Sequence, residues 1–278
     1  MSFDPRTTLA RPDLADRRLE GLVRAERYAE TRSGVCAWPA APIRMTPDDS
    51  AVQEDQLLFG ETFDVLEEAG GWAWGQARRD GYVGFVPLGA LAEPGPAPTH
   101  WVRAARTIVF ERPDFKSRAL EFLSMNSLVW LDGHDGRFVR APAAGGWLFA
   151  EHLSPAGRAE TDLAGVAEKF LEAPYQWGGR ESRGLDCSGL VQQAFFACGR
   201  GCPRDADQQR SLGVDLGASE LRRGDLVFWD GHVAMMVAPD RVIHANSHHM
   251  AVKTEPFDRV VERIERAGVG RPVCFRRP

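Results

Sequence analysis

An internal repeat in the first half of the chain restricts the fold most. Two stretches follow one pattern, ETFDVLEEAGGWAWGQARRDGYVGFVPLGAL (residues 61–91) and SLVWLDGHDGRFVRAPAAGGWLFAEHL (residues 127–153). Each holds an apolar pair, an acidic turn, an aromatic strand, a glycine-rich turn and a last aromatic and apolar strand. A repeat of this size predicts two copies of one supersecondary unit. Short β-prone runs between Gly, Pro and Asp clusters predict that each copy is a small all-β barrel or sandwich.

A proline-rich linker, AEPGPAPTH at residues 92–100, separates the two copies. We therefore predict one domain over residues 31–95 and a second over residues 96–155. The segment before them, residues 1–30, is rich in Asp and Arg and poor in apolar periodicity. We expect it to form an arm that packs along the rest, with a short helix around residues 14–23; a disordered tail is the alternative.

After Pro155 the pattern changes to helices followed by strands. Val166, Phe170 and Leu171 have helical spacing, and the run LDCSGLVQQAFFACG is also apolar at helical intervals. Further on, GDLVFW, HVAMMVA and RVIHANS are typical of strands joined by tight turns. Helices first and an antiparallel meander afterwards predict an α+β domain over residues 156–278.

Charge and cysteine content exclude several classes of protein. The 278 residues include 34 basic and 39 acidic side chains, a net charge of -5, which argues against a nucleic-acid partner. No apolar run approaches the ~20 residues of a membrane span. The N-terminal segment shows no basic and then apolar leader, so we expect a cytoplasmic protein without a membrane partner. The five scattered cysteines fit reduced thiols, and we predict neither a metal nor another cofactor.

One cysteine lies where a nucleophile is expected. Asp186 has the side chain of a helix N-cap, which places Cys187 at the first helical position, where amide donors and the helix dipole favour a thiolate. His232 and His244 flank an APDR turn, so strand pairing would bring them side by side. His232 would then take the thiol proton and His244 would fix its tautomer. The Cys187 amide and the Tyr175 hydroxyl would hold the oxyanion.

The simpler alternative is that these residues are structural. A lone buried cysteine is usually a small hydrophobic side chain, and an isolated histidine on a strand usually has a structural role. A DCSG segment at a helix start, directly after YQWGG, is an unusual place for a core cysteine. The three residues together therefore favour catalysis.

The motifs resemble a known family. YQWGG…LDCSGLVQQAF, CPRDADQQ, GDLVFW…HVAMMV and VIHA are similar, in order and spacing, to the NlpC-type papain-like cysteine peptidases of bacterial cell-wall metabolism. The resemblance covers about residues 174–247. It implies a papain-like α+β core with Cys187, His232 and His244 as the catalytic triad. GYVGFVP also makes the first repeat similar to bacterial SH3-like domains, which are five-stranded, partly open barrels.

The two SH3-like domains narrow the resemblance to γ-D-glutamyl-L-diamino acid endopeptidases, which cut muropeptides that have a free N-terminal L-alanine. The resemblance implies that an acid and a tyrosine of the first SH3-like domain select that amine, and the matching residues are Glu61 and Tyr82. It also implies substrate contacts in the catalytic domain, by Tyr175, Trp177, Asp186, Ser188, Arg204 and Asp205.

Simpler roles stay open for four of these residues. Asp186 and Asp205 would serve only as helix caps, Glu61 as a solvated charge at a strand end, and Trp177 as core filling. The repeat offers a separate test, because aligning its copies places Met125 near Glu61 and Ala144 over Tyr82. The barrel itself then requires neither residue, which favours a function, although drift in a surface loop gives the same pattern.

The expected reaction is acyl transfer through a thioester on Cys187, without a metal. It would hydrolyse the amide between γ-D-glutamate and a diamino acid, either meso-diaminopimelate or lysine, in muropeptides released during murein recycling. Two alternatives remain from the sequence. One is an amidase or acyltransferase of the same papain-like superfamily, and the other is a non-catalytic cell-wall-binding module.

Overall fold

The structure is a computed structural model that describes residues 3–278. The chain divides into two compact units. The first holds the residues up to Val102 together with Arg106–Ala156, and the second holds Arg103–Ala105 with Gly157–Pro278. No helix in the described part of the chain is both long and apolar enough to span a membrane.

The N-terminal arm packs on the first β-rich copy. Leu9 and Leu14 are buried in a cluster with Trp74 and Val83. The prediction of a packed arm is therefore confirmed for the described residues. Burial of these two leucines supplies the apolar contacts that hold the segment in place.

The helix predicted around residues 14–23 is wrong. Strand β1 (Leu14–Asp16) pairs in parallel with strand β2 (Arg27–Ala29), and only the 3₁₀ turn Arg17–Leu19 follows β1 directly. The Asp16 side chain accepts a backbone N–H inside that turn. Gly21 then takes a φ of 81°, which a right-handed helix does not allow. These local polar and glycine effects outweigh the weak apolar pattern.

The first copy of the repeat is an antiparallel seven-stranded sheet. Its strands are β3 (Arg32–Cys36), β4 (Ala40–Arg44), β5 (Gln53–Leu58), β6 (Thr62–Ala69), β7 (Trp72–Ala77), β8 (Val83–Pro87) and β9 (Leu91–Ala92). They stand in the order β5-β4-β8-β7-β6-β3-β9. Alternate side chains point inward, and Ile43, Leu57, Phe63 and Val86 form a fully buried core.

The second copy has eight shorter strands. They are β10 (His100–Val102), β11 (Arg106–Phe110), β12 (Ala119–Ser124), β13 (Leu128–Val129), β14 (Gly133–Asp135), β15 (Phe138–Ala141), β16 (Gly146–Phe149) and β17 (Leu153–Pro155). The order β12-β11-β16-β15-β14 repeats the order β5-β4-β8-β7-β6 of the first copy, and β13-β10-β17 form a separate small sheet. The predicted duplication of one supersecondary unit is therefore confirmed.

The second unit combines helices with one large sheet. Its helices are α1 (Leu163–Glu168), α2 (Cys187–Ala197), α3 (Ala206–Gln209) and α4 (Phe257–Arg266). Its strands are β18 (Arg180–Glu181), β19 (Gly184–Leu185), β20 (Val214–Asp215), β21 (Leu226–Trp229), β22 (His232–Ala238), β23 (Arg241–Asn246), β24 (Ala251–Pro256) and β25 (Cys274–Arg277). The predicted α+β class is confirmed.

The large sheet has the order β20-β25-β21-β22-β23-β24. Strands β21 to β24 form the predicted antiparallel meander, while β25 adds to the free edge of β21. Val227, Trp229 and Met236 from the sheet pack against Val260 of α4. The remaining short elements are 3₁₀ turns, at Leu88–Ala90, Pro142–Ala144, Ala150–His152 and Ala218–Glu220.

Candidate active site

Cys187 begins helix α2, as the sequence predicts. The Asp186 carboxylate caps the helix by accepting the N–H of Gly189 at 2.7 Å, and it also accepts the N–H of Gly178 at 2.9 Å. All 11 residues of α2 are buried. A Cβ atom on Gly189 would lie 2.2 Å from the carbonyl oxygen of Gly179. The glycine therefore allows the loop before the thiol to contact the first turn of the helix.

Asp186, Ser188 and Arg204 form one buried polar cluster beside the thiol. Arg204 Nη1 and Nη2 donate to the two Asp186 oxygens at 3.0 and 2.5 Å, and Nη1 also donates to Ser188 Oγ at 2.8 Å. Only 1% of the Arg204 side chain is exposed. Asp186 is therefore more than a helix cap, because it also forms a bidentate ion pair next to the nucleophile.

Asp205 has the simpler role considered from the sequence, and Trp177 does not. Asp205 is the N-cap of α3, and its backbone N–H donates to Gln208 Oε1 at 3.3 Å in a capping box. The prediction that it caps this helix is confirmed. Trp177 is 58% exposed, so the alternative that it fills the core is wrong.

The two histidines lie on neighbouring strands of the meander. β22 and β23 pair in antiparallel register, with Met235 opposite Ile243. His232 Nε2 and His244 Nδ1 are 2.8 Å apart, within hydrogen-bonding distance. The predicted side-by-side arrangement across the turn is therefore confirmed. The Trp229 ring lies 5.8 Å from the His232 ring, centroid to centroid, and helps to enclose it.

The second histidine of the pair contacts an acid, Glu255, that the sequence analysis missed. His244 Nε2 and Glu255 Oε1 are 2.9 Å apart. Lys253 is opposite His244 in the β23–β24 pair, and Glu255 lies two residues further along β24. It therefore belongs to the same face of the sheet. Counting this alternation along the AVKTEP strand identifies the acid from the sequence once the two strands are paired.

His249 is the second imidazole that contacts Glu255. Its Nε2 lies 3.2 Å from Glu255 Oε2, and its backbone N–H donates to Asn246 Oδ1 at 2.9 Å. In the described part of the chain, no three His, Cys, Asp or Glu side chains are grouped to hold a metal ion. His249 and its neighbour His248 thus belong to a polar turn next to the histidine pair.

Burial opposes the predicted thiolate at Cys187 in the protein without substrate. Burial, followed by the negative charge of Asp186, raises the pKa of the Cys187 thiol to about 12, although the Val233 N–H hydrogen-bonds the sulfur. Burial, together with the neighbouring His244, lowers the pKa of His232 to about 3. The helix dipole is thus outweighed by desolvation. Both shifts favour a neutral thiol and a neutral imidazole at rest, so we expect the proton to transfer when the sulfur attacks.

We therefore expect no Cys187 thiolate at neutral pH in the absence of substrate. Thiolates absorb in the ultraviolet, so the difference spectrum between the parent protein and C187A reports on this one sulfur. Because the folded pKa is far above the ordinary thiol value, this spectrum should stay flat from about pH 6 to about pH 10. A rise in absorption centred below the ordinary thiol pKa would contradict this assignment.

Tyr175 can act as a hydrogen-bond donor near the nucleophile. Burial, and then the negative charges of ionised Cys187 and of Asp186, raise the pKa of the Tyr175 hydroxyl well above its ordinary value. Its backbone N–H donates to the Met250 carbonyl at 2.9 Å. The hydroxyl therefore keeps its proton at neutral pH, which an oxyanion donor requires.

Glu61 and Tyr82 are both buried in the first unit. Glu61 is 1% exposed, and its carboxylate accepts the Leu58 N–H at 3.0 Å and pairs with Arg79 at 2.8 Å. Arg79 also donates to the Asn126 carbonyl at 2.9 Å. The alternative of a solvated charge at a strand end is therefore wrong. Tyr82 is 3% exposed and belongs to the core of the first barrel.

The structure corrects one half of the repeat alignment. Gly60 and Asn126 both take a left-handed φ, 81° and 69°, in equivalent turns. In these turns the Glu61 N–H donates to the Leu58 carbonyl, and the Ser127 N–H donates to that of Ser124. Ser127, and not Met125, is therefore the counterpart of Glu61. A sequence alignment cannot find this shift when glycine in one copy is replaced by asparagine in the other.

The second half of the alignment is confirmed. A Cβ on Gly84 would lie 2.8 Å from the Arg44 carbonyl oxygen, and a Cβ on Gly146 would lie 2.4 Å from that of Phe110. The two glycines occupy equivalent close approaches, so Ala144 is the counterpart of Tyr82. The second copy thus carries serine and alanine where the first carries Glu61 and Tyr82.

Comparison with known protein families finds two matches. Residues 172–263 match the NlpC/P60 family, and residues 43–91 match the bacterial dipeptidyl-peptidase SH3 domain. The first range contains the thiol, both hydrogen-bonded histidines and the missed acid. The second covers most of the first β-rich copy, including the segment with Glu61 and Tyr82.

Two named relatives resemble the chain over most of its length. The γ-D-glutamyl-L-lysine dipeptidyl-peptidase of Bacillus cereus is 27% identical over 258 residues, which cover 78% of this chain and 74% of that protein. The enzyme of the same name from Bacillus subtilis is 27% identical over 260 residues, 84% of this chain and 86% of that protein. The crystal structure of an NlpC/P60 family protein from Bacillus cereus has the same fold, with a TM-score of 0.75 at 22% identity over 88% of this chain and 99% of that one.

Proposed function

Because the chain carries an NlpC/P60 cysteine peptidase domain behind a bacterial dipeptidyl-peptidase SH3 domain, we propose that it hydrolyses the amide between γ-D-glutamate and a diamino acid. The substrates are peptidoglycan peptides with a free N-terminal L-alanine, and the diamino acid is lysine or meso-diaminopimelate. The main support is the likeness to two γ-D-glutamyl-L-lysine dipeptidyl-peptidases across both domain types. The thiol at the start of α2 and the His232–His244 pair supply the chemistry.

The reaction proceeds in two acyl-transfer steps. The Cys187 thiol gives its proton to His232 while the sulfur attacks the γ-carbonyl carbon of D-glutamate. The tetrahedral oxyanion accepts hydrogen bonds from the Cys187 N–H and the Tyr175 hydroxyl. As the C–N bond breaks, His232 returns the proton to the leaving amine, and a thioester remains. Water, deprotonated by His232, then attacks the thioester and releases L-alanyl-D-glutamate and the free thiol.

Selection for a free amine is the finer part of the proposal. A peptide ammonium gains charge-assisted hydrogen bonds from a carboxylate in a sheltered site, and an acylated alanine nitrogen does not. Glu61 is a buried carboxylate, and the second copy of the barrel carries a serine in its place. Alanine in the intact wall is acylated, so this selection restricts the enzyme to released peptides. We accordingly propose a cytoplasmic role in murein peptide recycling.

The amine selection predicts a specific defect in the Glu61→Gln variant. The parent should hydrolyse L-Ala-γ-D-Glu-meso-diaminopimelate, or its lysine analogue, much faster than the N-acetylated peptide. E61Q should lose about 10-fold to 100-fold in kcat/KM on the free peptide, because one hydrogen bond to a charged group is weakened, and little on the acetylated one. Chromatography of the products measures both rates.

Glu68 provides the matched control, because it is an exposed glutamate of the same barrel that pairs with Arg32. E68Q should retain the preference of the parent. A parent enzyme that cleaves the free and the acetylated peptides equally well would contradict the selection while leaving the peptidase chemistry intact.

Product identity separates this function from another papain-like activity. Alanyl-glutamate and free diamino acid are the expected products of the tripeptide. An amidase would release ammonia from an amidated peptide instead, and an acyltransferase would require an added amine acceptor. Either outcome would show that the protein catalyses a reaction other than the proposed hydrolysis.

A further inference from the structure

We propose that Glu255 is a positioning residue that selects the tautomer of His244 and thereby decides which nitrogen of His232 is free to take the thiol proton. This inference rests on the proposed function, because it assigns a role within the same reaction. It concerns a side chain that contacts neither the thiol nor the base directly.

The direction of each hydrogen bond follows from the chain of contacts. An ionised carboxylate only accepts, so His244 Nε2 must donate to Glu255 across their 2.9 Å contact. A neutral imidazole carries one proton, which leaves His244 Nδ1 as an acceptor. His232 Nε2 must then donate across the 2.8 Å contact. The remaining lone pair of His232 is on Nδ1, and this nitrogen is the base.

A histidine in the orienting position makes such a selector necessary. Burial lowers the pKa of His244 in spite of its hydrogen bond to Glu255, so the ring is neutral and has two possible tautomers. In the other tautomer His244 Nδ1 would donate to His232 Nε2. The His232 proton would then lie on Nδ1, and its lone pair on Nε2 would be occupied by the hydrogen bond from His244. His232 would then have no free nitrogen to take the thiol proton.

The surroundings of Glu255 keep it an acceptor. Arg263 of helix α4 donates to both carboxylate oxygens, with Nη2 at 2.7 Å from Oε1, and His249 lies 3.2 Å from Oε2. The side chain is 13% exposed. Burial alone would raise the pKa of Glu255, but the hydrogen bonds from His244, Arg263 and His249 hold it well below its usual range. The residue is therefore a carboxylate at any pH at which the enzyme works.

A purely structural role offers a competing explanation, because the same ion pair joins α4 to strand β24. That role predicts that loss of Glu255 lowers stability, with an effect on turnover that does not depend on the residue at position 244. The tautomer role instead predicts that the effect on turnover depends on the residue at position 244. An orienting group that has no tautomers does not need a selector.

The test uses Glu255→Gln, which keeps the size of the side chain but leaves one acceptor oxygen for three donors. E255Q should lower kcat for the tripeptide by about 10-fold to 100-fold, by analogy with the loss seen when the hydrogen-bond partner of a metal-bound histidine is removed, with KM unchanged. Glu262 is the matched control, because it is an exposed acid of α4 that pairs with Arg259 and Arg266. E262Q should behave as the parent.

The decisive comparison repeats E255Q in a His244→Asn background. The asparagine oxygen accepts from His232 Nε2 whichever residue occupies position 255. The loss caused by E255Q should therefore shrink to about twofold or less in this background, outside the range expected for a lost positioning partner. An equal loss in both backgrounds, or a fall in stability without a fall in kcat, would overturn the positioning role.

Two measurements keep the test independent of the substrate and of the folding of the variants. Nitrogen-15 spectra of the histidines in the parent protein should show His244 protonated on Nε2 and bare on Nδ1, and the reverse tautomer would overturn the inference. Iodoacetamide should alkylate Cys187 more slowly in E255Q than in the parent, because alkylation needs the same base. If the parent protein does not cleave the tripeptide but alkylation of Cys187 is still slower in E255Q, the proposed substrate is refuted and the role of Glu255 stands.

Discussion

Replacing Cys187 with alanine is expected to lower kcat for the γ-D-glutamyl peptide by about 10⁴-fold or more, the scale seen when a nucleophile is removed. The sulfur forms the thioester, and we expect neither histidine to substitute for it because the two imidazoles are held in a hydrogen bond with each other. Substrate affinity should survive, since the methyl group leaves the site open. Product chromatography measures kcat, and calorimetry with C187A measures binding.

Cys198 supplies the control for this substitution. It is also a free cysteine, and it caps the opposite end of the same helix. C198A should retain the parent kcat. Turnover at the parent rate by C187A would end the peptidase assignment, whereas equal inactivation of both variants would indicate damage to α2 instead of loss of a nucleophile.

The second large effect is expected on stability, from Arg204→Met. Arg204 is 1% exposed and its partner Asp186 is 7% exposed, and the guanidinium also donates to Ser188. Methionine fills a similar volume but leaves a buried carboxylate without its counter-charge. Breaking a buried pair in this way destabilises a protein by about 3–5 kcal/mol. Urea unfolding of R204M and the parent, compared at equal slope, gives the free energy of unfolding.

Arg223 is the matched control because its geometry is at least as good but its exposure is much greater. It pairs with both Asp162 and Glu168 at 2.8 Å, and 39% of its side chain is exposed. Solvent screening reduces such pairs to less than about 1 kcal/mol. R223M should therefore unfold close to the parent midpoint. If both substitutions destabilise equally, burial is not what makes the Arg204 pair strong.

The parts of the site that the sequence predicts are those set by short-range rules. An aspartate before an apolar helical run specifies an N-cap, which fixes Cys187 at the first position of α2. A tight turn between two β-prone runs specifies antiparallel pairing, which brings His232 and His244 together. The duplication of the β-rich unit is also visible, because each copy repeats the same alternation of aromatic strands and glycine turns.

The parts that the sequence analysis missed depend on the folded environment. Glu255 contacts His244 only after a third strand has paired, so no spacing in the sequence marks it. The protonation of Cys187 depends on burial, which opposes the dipole of its helix. The counterpart of Glu61 was misplaced by two residues because Asn126 adopts the left-handed conformation that Gly60 adopts in the first copy.

The neutral resting thiol has a consequence for the chemistry of inhibition and damage. Peroxides and simple electrophiles react with the thiolate form of a cysteine, because the thiolate is the nucleophile. With a pKa of about 12 for Cys187, the nucleophile resists oxidation to a sulfenic acid while the cleft is empty. Covalent inhibitors selective for this enzyme should therefore carry a carbonyl or nitrile, which the sulfur attacks as it gives its proton to His232. Reagents chosen only for thiol reactivity should label the partly exposed Cys198 and Cys274 before Cys187.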